Sequence, residues 1–308
     1  MADGKWISGL KADMPLAEAA SLAFAARAKA IRKNLPLAVS HAGDNVEYIH
    51  QLRVGTRRAG AVVSEFEDCW SDKFRGKLKK RLKRLRHAAG AARDWDVMRM
   101  ALQGRRENVD EVEWAGIDYL LGFAQGEREA AQRQLEIVAR ELGTEELEEL
   151  WDLAEAAARN PRGDSKPKVL SDLAKVRMAE HFRLLDEAAS GDLNDFTHLH
   201  QVRIRGKQMR YAMELFVECF TPRFKKELYP TIEEMQEILG TANDSHVASE
   251  RLGSLSAILK KTDKAEWSRV QPGFDALLAF HDNRLKTEQA AFISWWQNWQ
   301  RLPSAFRL

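Results

Sequence analysis

Apolar side chains recur through this chain at the spacing of helices. Around Leu52, Ala59, Val63 and Phe66, and again around Val202, Met209, Met213 and Phe216, they gather on one side of a wheel that advances about 100° per residue. Leu78, Leu82, Leu85 and Ala89 form a similar ridge, and long stretches lack the alternation of strands. Alanine, leucine, glutamate, arginine and lysine dominate and proline is scarce, so the chain reads as all-α. Helix starts are expected after Met14-Pro15, near Asp44, near Asp72, at Asp94, near Asp110 and near Thr144. The clear break is NPRGDSKPK, residues 160–168, where prolines and a glycine sit among polar residues as in a linker. After it, starts are expected near Val169, Asn194, Pro222, Asp244 and Lys264, and the last helix runs through FISWWQNWQ. The organisation that follows is a tail at 1–14, a first helical bundle at 15–159, the linker at 160–168 and a second bundle at 169–308.

The two bundles are related in sequence. HQLRVGTRRAG begins at His50 and HQVRIRGKQMR at His200, and the offset of 150 holds without a gap through 50–97 and 200–247. Eleven positions are identical over that span, among them His50/His200, Gln51/Gln201, Arg53/Arg203, Phe66/Phe216, Cys69/Cys219, Gly90/Gly240, Asp94/Asp244 and Val97/Val247. Arg57/Lys207 is a conservative exchange, and Arg27/Arg177 keeps the offset upstream, which makes these two arginines candidates for the same anion-binding surface as the stripes described next. A duplicated helical unit explains this pattern best.

In the first copy His50, Arg53 and Arg57 fall on one side of the wheel, away from the apolar face; in the second, His200, Arg203, Lys207 and Arg210 do the same. Solvated helix faces drift in identity, whereas His, Gln and Arg stand at matched positions in two halves whose other surface residues differ. Arginine's planar fork donates two parallel hydrogen bonds to a phosphate, and lysine adds a mobile point charge. The stripes therefore read as one anion-binding surface made by both halves. The G-x-A-x-D-x-x-V element at Gly90–Val97 and Gly240–Val247 reads differently, as a helix end followed by an Asp cap for the next helix.

Charge sharpens the picture only when it is resolved along the chain. The formal net charge is +2, but residues 73–93 hold ten Lys or Arg and no acid, whereas 141–158 hold seven acids and no Lys or Arg. A basic helix without interleaved acids repels itself and gains from an external anion. Lys79, Lys83 and Arg86 join the candidate surface on that ground, while the matching stretch of the second copy carries Glu227, Glu233, Glu234 and Glu237. No apolar run approaches the ~20 residues that cross a bilayer and the N-terminus lacks a signal-peptide pattern, so a cytoplasmic protein is expected. Two cysteines, Cys69 and Cys219, are too few for a disulfide framework and read as buried thiols.

These stretches resemble the CHAD family, the conserved histidine α-helical domain. The resemblance rests on HQLRVGTRRAG, HQVRIRGKQMRYAMELF, LKRLRHAAGAARDWDV and MQEILGTANDSHV, and on their order in two halves, over roughly 15–305. It implies two antiparallel helical bundles related by an approximate twofold, with a basic groove between them that binds inorganic polyphosphate, and association with polyphosphate granules and their proteins. Carried over by residue, the motif falls on His50, Arg53, Arg57 and Arg58, then His200, Arg203, Lys207 and Arg210. Gly60 and Gln208 stand where the family pattern has basic residues. No cofactor and no chemistry of the chain's own are implied.

Two rivals remain. Glu47 and His50 have the Glu-x-x-His spacing of di-iron bundles, but Thr197 occupies the matching place in the second copy, which weakens metal catalysis. A groove that tracks polyphosphate also attracts a sugar-phosphate backbone, yet base stacking needs exposed aromatics beside the cations, and Phe66, Phe216, Phe74 and Phe224 lie at core spacing. Nucleic acid is accordingly not expected as the primary ligand.

Overall fold

The computed structural model describes residues 4–161 and 167–301. Most of the break expected between the bundles, residues 162–166, lies outside the described residues. The first half comprises α1 (Leu16–Ser40), α2 (Glu47–Glu65), α3 (Asp72–Arg106), α4 (Glu111–Leu142) and α5 (Thr144–Ala156). The second comprises α6 (Leu170–Ala189), α7 (Phe196–Phe216), α8 (Tyr229–Thr262) and α9 (Lys264–Arg301). A 3-10 turn follows α2 at Glu67–Cys69 and α7 at Val217–Cys219, and a π-helical turn at Phe224–Leu228 leads into α8. Among the described residues there is no strand, only an isolated antiparallel bridge between Pro15 and Val169. None of the described helices is long and apolar enough to cross a membrane.

The starts expected near Asp44, Asp72, Asp110, Thr144 and Asn194 hold to within a few residues, although α3, α4 and α5 have no capping side-chain bond. Asp195 accepts from the Thr197 amide at the head of α7, and the Asn45 side chain accepts from the Glu47 amide at the head of α2. The starts expected at Asp94 and Asp244 do not occur: both aspartates lie inside the unbroken helices α3 and α8. Gly90 and Gly240 therefore do not end a helix, and the two aspartates serve another purpose, described below.

In each half two shorter helices pack on the base of a long hairpin, α1 and α2 against α3–α4 and α6 and α7 against α8–α9. The halves meet at two levels. At the base α2 packs on α7, where the matched Phe66 and Phe216 face each other with ring centroids 6.2 Å apart, both almost wholly buried. At the far end α4 packs on α9. A Cβ on Gly116 would lie 2.6 Å from the Val270 carbonyl, and one on Gly273 would lie 2.5 Å from that of Glu113, so only glycine permits this approach.

The apolar residues divide accordingly. One large cluster gathers side chains from both halves around Phe24, Trp70, Trp151, Phe216, Phe292 and Trp299. A smaller one holds the hairpin tips together through Leu102, Ile117, Leu120, Leu252, Trp267, Val270 and Phe274. Each fully buried Leu or Phe contributes about 1.5–3 kcal/mol relative to exposure, so both contacts between halves are well supported.

Residues 4–14 are not a loose tail. Ile7 and Leu10 are buried, Trp6 packs edge-on against Tyr229 with centroids 4.9 Å apart, and Lys5 pairs with Glu233 at 2.9 Å. The Ser171 amide donates to the Ala12 carbonyl and the Leu170 amide to that of Met14. The segment is fixed because its apolar residues reach a place in the second half, a long-range effect that a polar-looking terminus does not announce.

Candidate anion-binding site

Because α2 and α7 cross with their apolar faces turned inward, their basic stripes are brought side by side. Lys207 lies in the electrostatic field of Arg57, Arg203, Arg53 and Arg210. Arg53 feels Arg57 and Arg203, and Arg86 of α3 feels Arg57 and Tyr211. Two helices separated by some 150 residues of chain and one face of α3 thus build a single cationic cluster. Arg53, Arg57, Arg86, Arg203, Lys207 and Arg210 are all partly exposed within it.

The shared aspartates of α3 and α8 belong to this cluster. Arg53 donates from Nη1 to Asp94 at 2.7 Å. Arg53 also passes beside Gly90, where a Cβ would lie at ordinary van der Waals distance, 3.8 Å, from its Nε. In the second copy Asp244 is the chief favourable charge near Arg203. The Arg203 carbonyl accepts from Gln236, and His200 Nδ1 lies 3.1 Å from the Asn243 Oδ1. The element repeated in both halves is thus an arginine on the short helix facing an aspartate on the long one.

Burial and crowding make Lys207, Arg53, Arg203 and Arg86 costly in their charged form, whereas Arg210, though burial lowers it, is raised on balance by Tyr229, Tyr211 and Glu214. Burial, then the neighbouring arginines, pulls the Lys207 ammonium down to about 6 from its usual 10.5. Burial, reinforced by Arg57, lowers Arg53, and burial is likewise the leading cause of the lowered Arg203 and Arg86. His50 is also lowered, by burial first and then by Arg93, Arg53 and Arg57 against the pull of Glu47. Arg93 Nη1 and Arg210 Nε are buried donors without a hydrogen-bond acceptor in the described structure. A group of cations that depress one another and leave buried donors unmatched is arranged to receive negative charge. Glu47, at metal-like spacing from His50, instead accepts a hydrogen bond from Gln51.

Not every arginine of the candidate surface reaches the cluster. Arg58 is turned into the core, where its Nε donates to the buried Glu214 at 2.7 Å and its Nη2 at 3.3 Å. Arg27 is buried as well; it donates to the Gly4 and Lys5 carbonyls and lies 3.8 Å from Glu214. Tyr229 donates its hydroxyl to the same carboxylate at 3.0 Å. Arg177 lies on a different face, bound to Glu67 at 2.7 Å, Glu180 at 3.1 Å and the Glu65 carbonyl at 3.3 Å. These three arginines join the halves to each other through internal ion pairs. Lys79 and Lys83 are exposed and share with Arg86 one face of α3, at i, i+4 and i+7, so they extend the cluster outward.

Arg93, Asp94, Asp244 and Glu214 were not singled out from the sequence as parts of this network. The repeated Gly…Asp element was the available signal for the two aspartates, but capping explains the same letters locally. Glu214 falls on the wheel among Arg203, Lys207 and Arg210, so the sequence shows a carboxylate on the basic side, and its burial at 1 % exposure comes from the packing of the other half against it. Cys69 and Cys219 are free thiols, the first buried and the second half-buried, and burial pushes Cys69 up to about 12 and Cys219 up to about 11.

The molecule defined by this fold and cluster is an all-helical protein with paired cationic helices crossing at its centre. The CHAD domain family model matches residues 22–253, and the chain belongs to that family. Among solved structures it is similar to the CHAD domain from the plant Ricinus communis, with a TM-score of 0.70 and 23% identity over 93% of this chain and 96% of that one. It is also similar to PptA from Streptomyces chartreusis, with a TM-score of 0.62 and 15% identity over 92% of this chain and 100% of that one. No match emerged among curated proteins.

Proposed function

We propose that the chain binds inorganic polyphosphate across the crossing of α2 and α7 and performs no chemistry on it. The observation that carries this reading is the gathering of Arg53 and Arg57 of α2 with Arg203 and Lys207 of α7 at the place where the halves pack together, close enough that Lys207 is depressed by the others. Such a cluster is stabilised by a ligand with closely spaced negative charges. A linear polyphosphate presents one on every unit and has no bases to accommodate. Membership of the CHAD family supports the same ligand, since the family resemblance implies polyphosphate.

In this mechanism Arg53 exchanges or shares Asp94 for phosphate oxygens, Arg57, Arg203 and Lys207 contact successive phosphates, and Arg86, Lys83 and Lys79 guide the chain outward along α3. His50 and His200 flank the path. Each charge-assisted contact contributes modestly, so affinity comes from their number and rises with polymer length. In the cell the protein associates with polyphosphate granules in the cytoplasm, with granule proteins as secondary partners. The alternative, a general polyanion or nucleic-acid surface, predicts that DNA competes as well as polyphosphate does.

The paired variant Arg53→Ala/Arg203→Ala tests the site. It should weaken polyphosphate binding by at least tenfold while circular dichroism retains the helical signal; unchanged affinity removes the stripes from the site.

A further inference from the structure

Next to Asp94 on α3 and beyond Asp244 on α8, toward the hairpin tips, α3, α4 and α8 line an open cleft of about 460 Å³. Its walls are unlike the cationic cluster beside it. Trp95 and Phe123 meet edge to face with centroids 5.8 Å apart, and Val247 and Leu255 complete an apolar surface. Arg251 stands 4.5 Å over the Trp95 ring, and Glu250 and Ser254 supply polar groups at the same cleft. A polymer made only of phosphate has no use for an indole, a phenyl ring and two aliphatic side chains. An aromatic ring carrying a polyphosphate tail uses both regions.

We propose that this cleft is a subsite for the base of a nucleoside 5′-polyphosphate whose tail lies in the cationic cluster. The inference rests on the anion-binding reading of that cluster. The base packs against Trp95, Phe123, Val247 and Leu255, with Glu250 and Ser254 as partners for its polar edge. Arg251, already over the indole, pairs with the phosphate nearest the sugar. Trp95 follows Asp94, whose carboxylate is matched by Arg53 at 2.7 Å, so the path from cleft to cluster crosses a neutralised pair. From Trp95 back to Arg86 along α3 is about 14 Å at the helical rise, so the tail must contain several phosphates. A single platform suits one terminal base, whereas a nucleic acid would require one for each stacked base.

The test compares inorganic tetraphosphate with adenosine 5′-tetraphosphate on the intact protein by calorimetric titration, with the wild type, Trp95→Ala and Val247→Trp. The nucleotide is expected to bind the wild type about tenfold more tightly than the inorganic chain. Trp95→Ala should abolish that preference and leave inorganic tetraphosphate unaffected. Val247→Trp, which fills the cleft without removing the packed indole, should do the same and covers the case in which Trp95→Ala fails to fold. Equal affinities for the two ligands in the wild type, or a loss shared equally by both ligands in the variants, overturns the base subsite and leaves polyphosphate binding intact. If neither ligand binds while long-chain polyphosphate does, the base subsite alone falls; if long-chain polyphosphate fails as well, the subsite and the anion-binding reading fall together.

Discussion

Arg53 and Arg58 belong to one helix and to one sequence motif, yet they do opposite work. Arg53 lies at the surface of the cluster with Asp94, while Arg58 is 6 % exposed and clasps Glu214. Arg58→Ala leaves a buried carboxylate short of its main partner and should cost about 3–5 kcal/mol of stability in thermal or denaturant unfolding. Arg53→Ala should leave the unfolding midpoint nearly unchanged and weaken polyphosphate binding about tenfold, as expected for losing a charge-assisted contact of about 1.5–3 kcal/mol. A melting curve and a titration on each variant separate the two roles. Wheel geometry distinguished the basic side from the core side of α2 but did not reveal Arg58's destination, because its partner lies in the other half of the chain.

Lys207 gives the residue scale its pH dependence. Its amine is held at about 6 in the free protein and returns toward 10.5 in an unfolded chain. Between those values the unfolded state binds more protons, so this group makes the free protein more stable as pH rises through the window, and its penalty is fully present below about 6. Bound polyanion reverses the balance by favouring the ammonium. Binding near pH 7.5 should therefore take up protons, and affinity should fall as pH rises. Calorimetry in buffers of different ionisation enthalpy measures the uptake; Lys207→Met should lose most of it and melt about 2 °C or more above the wild type, the shift expected for about 1 kcal/mol in a chain of this size. His50, also lowered, adds a smaller uptake in the same direction.

At the scale of elements, α3 explains both what the sequence displayed and what it concealed. Its apolar ridge and cationic faces were legible from spacing alone, and Leu78, Leu82, Leu85 and Ala89 are indeed buried. The helix was nevertheless expected to break near Asp94, because Gly followed by Asp is also a capping pattern. In the fold Asp94 is not a cap, because its carboxylate accepts from Arg53 of α2. The Gly116–Gly273 contact was concealed for the same reason, since neither glycine sits at a turn and each is explained only by the helix opposite. Gly273→Ala should force α4 and α9 apart and destabilise the tips by about 1–3 kcal/mol. Hydrogen exchange should show faster opening around Trp267 and Phe274, and little change near Phe66.

At the scale of the molecule, the chain uses one set of helices to hold its halves together and to gather charge. Phe66 meets Phe216 on the inner faces of α2 and α7, and the same crossing aligns Arg53 and Arg57 with Arg203 and Lys207. The internal repeat was readable because matched positions carried both the core and the stripe. Residues 4–14 were not, since their packing on Tyr229 and Glu233 depends on where the second half arrives. The lopsided charge was also readable: α3 carries Lys79, Lys83 and Arg86, whereas the corresponding part of α8 carries Glu233, Glu234 and Glu237. A polyanion should accordingly leave the crossing along α3.

Multivalent capture of polyphosphate at that crossing, as proposed, is tested by titrating the protein with long and short inorganic polyphosphate at two salt concentrations, with single-stranded DNA as competitor. Tight binding that strengthens with chain length, weakens steeply with salt and survives excess DNA is the predicted result. Affinity independent of length, or DNA displacing polyphosphate on equal terms, would contradict it.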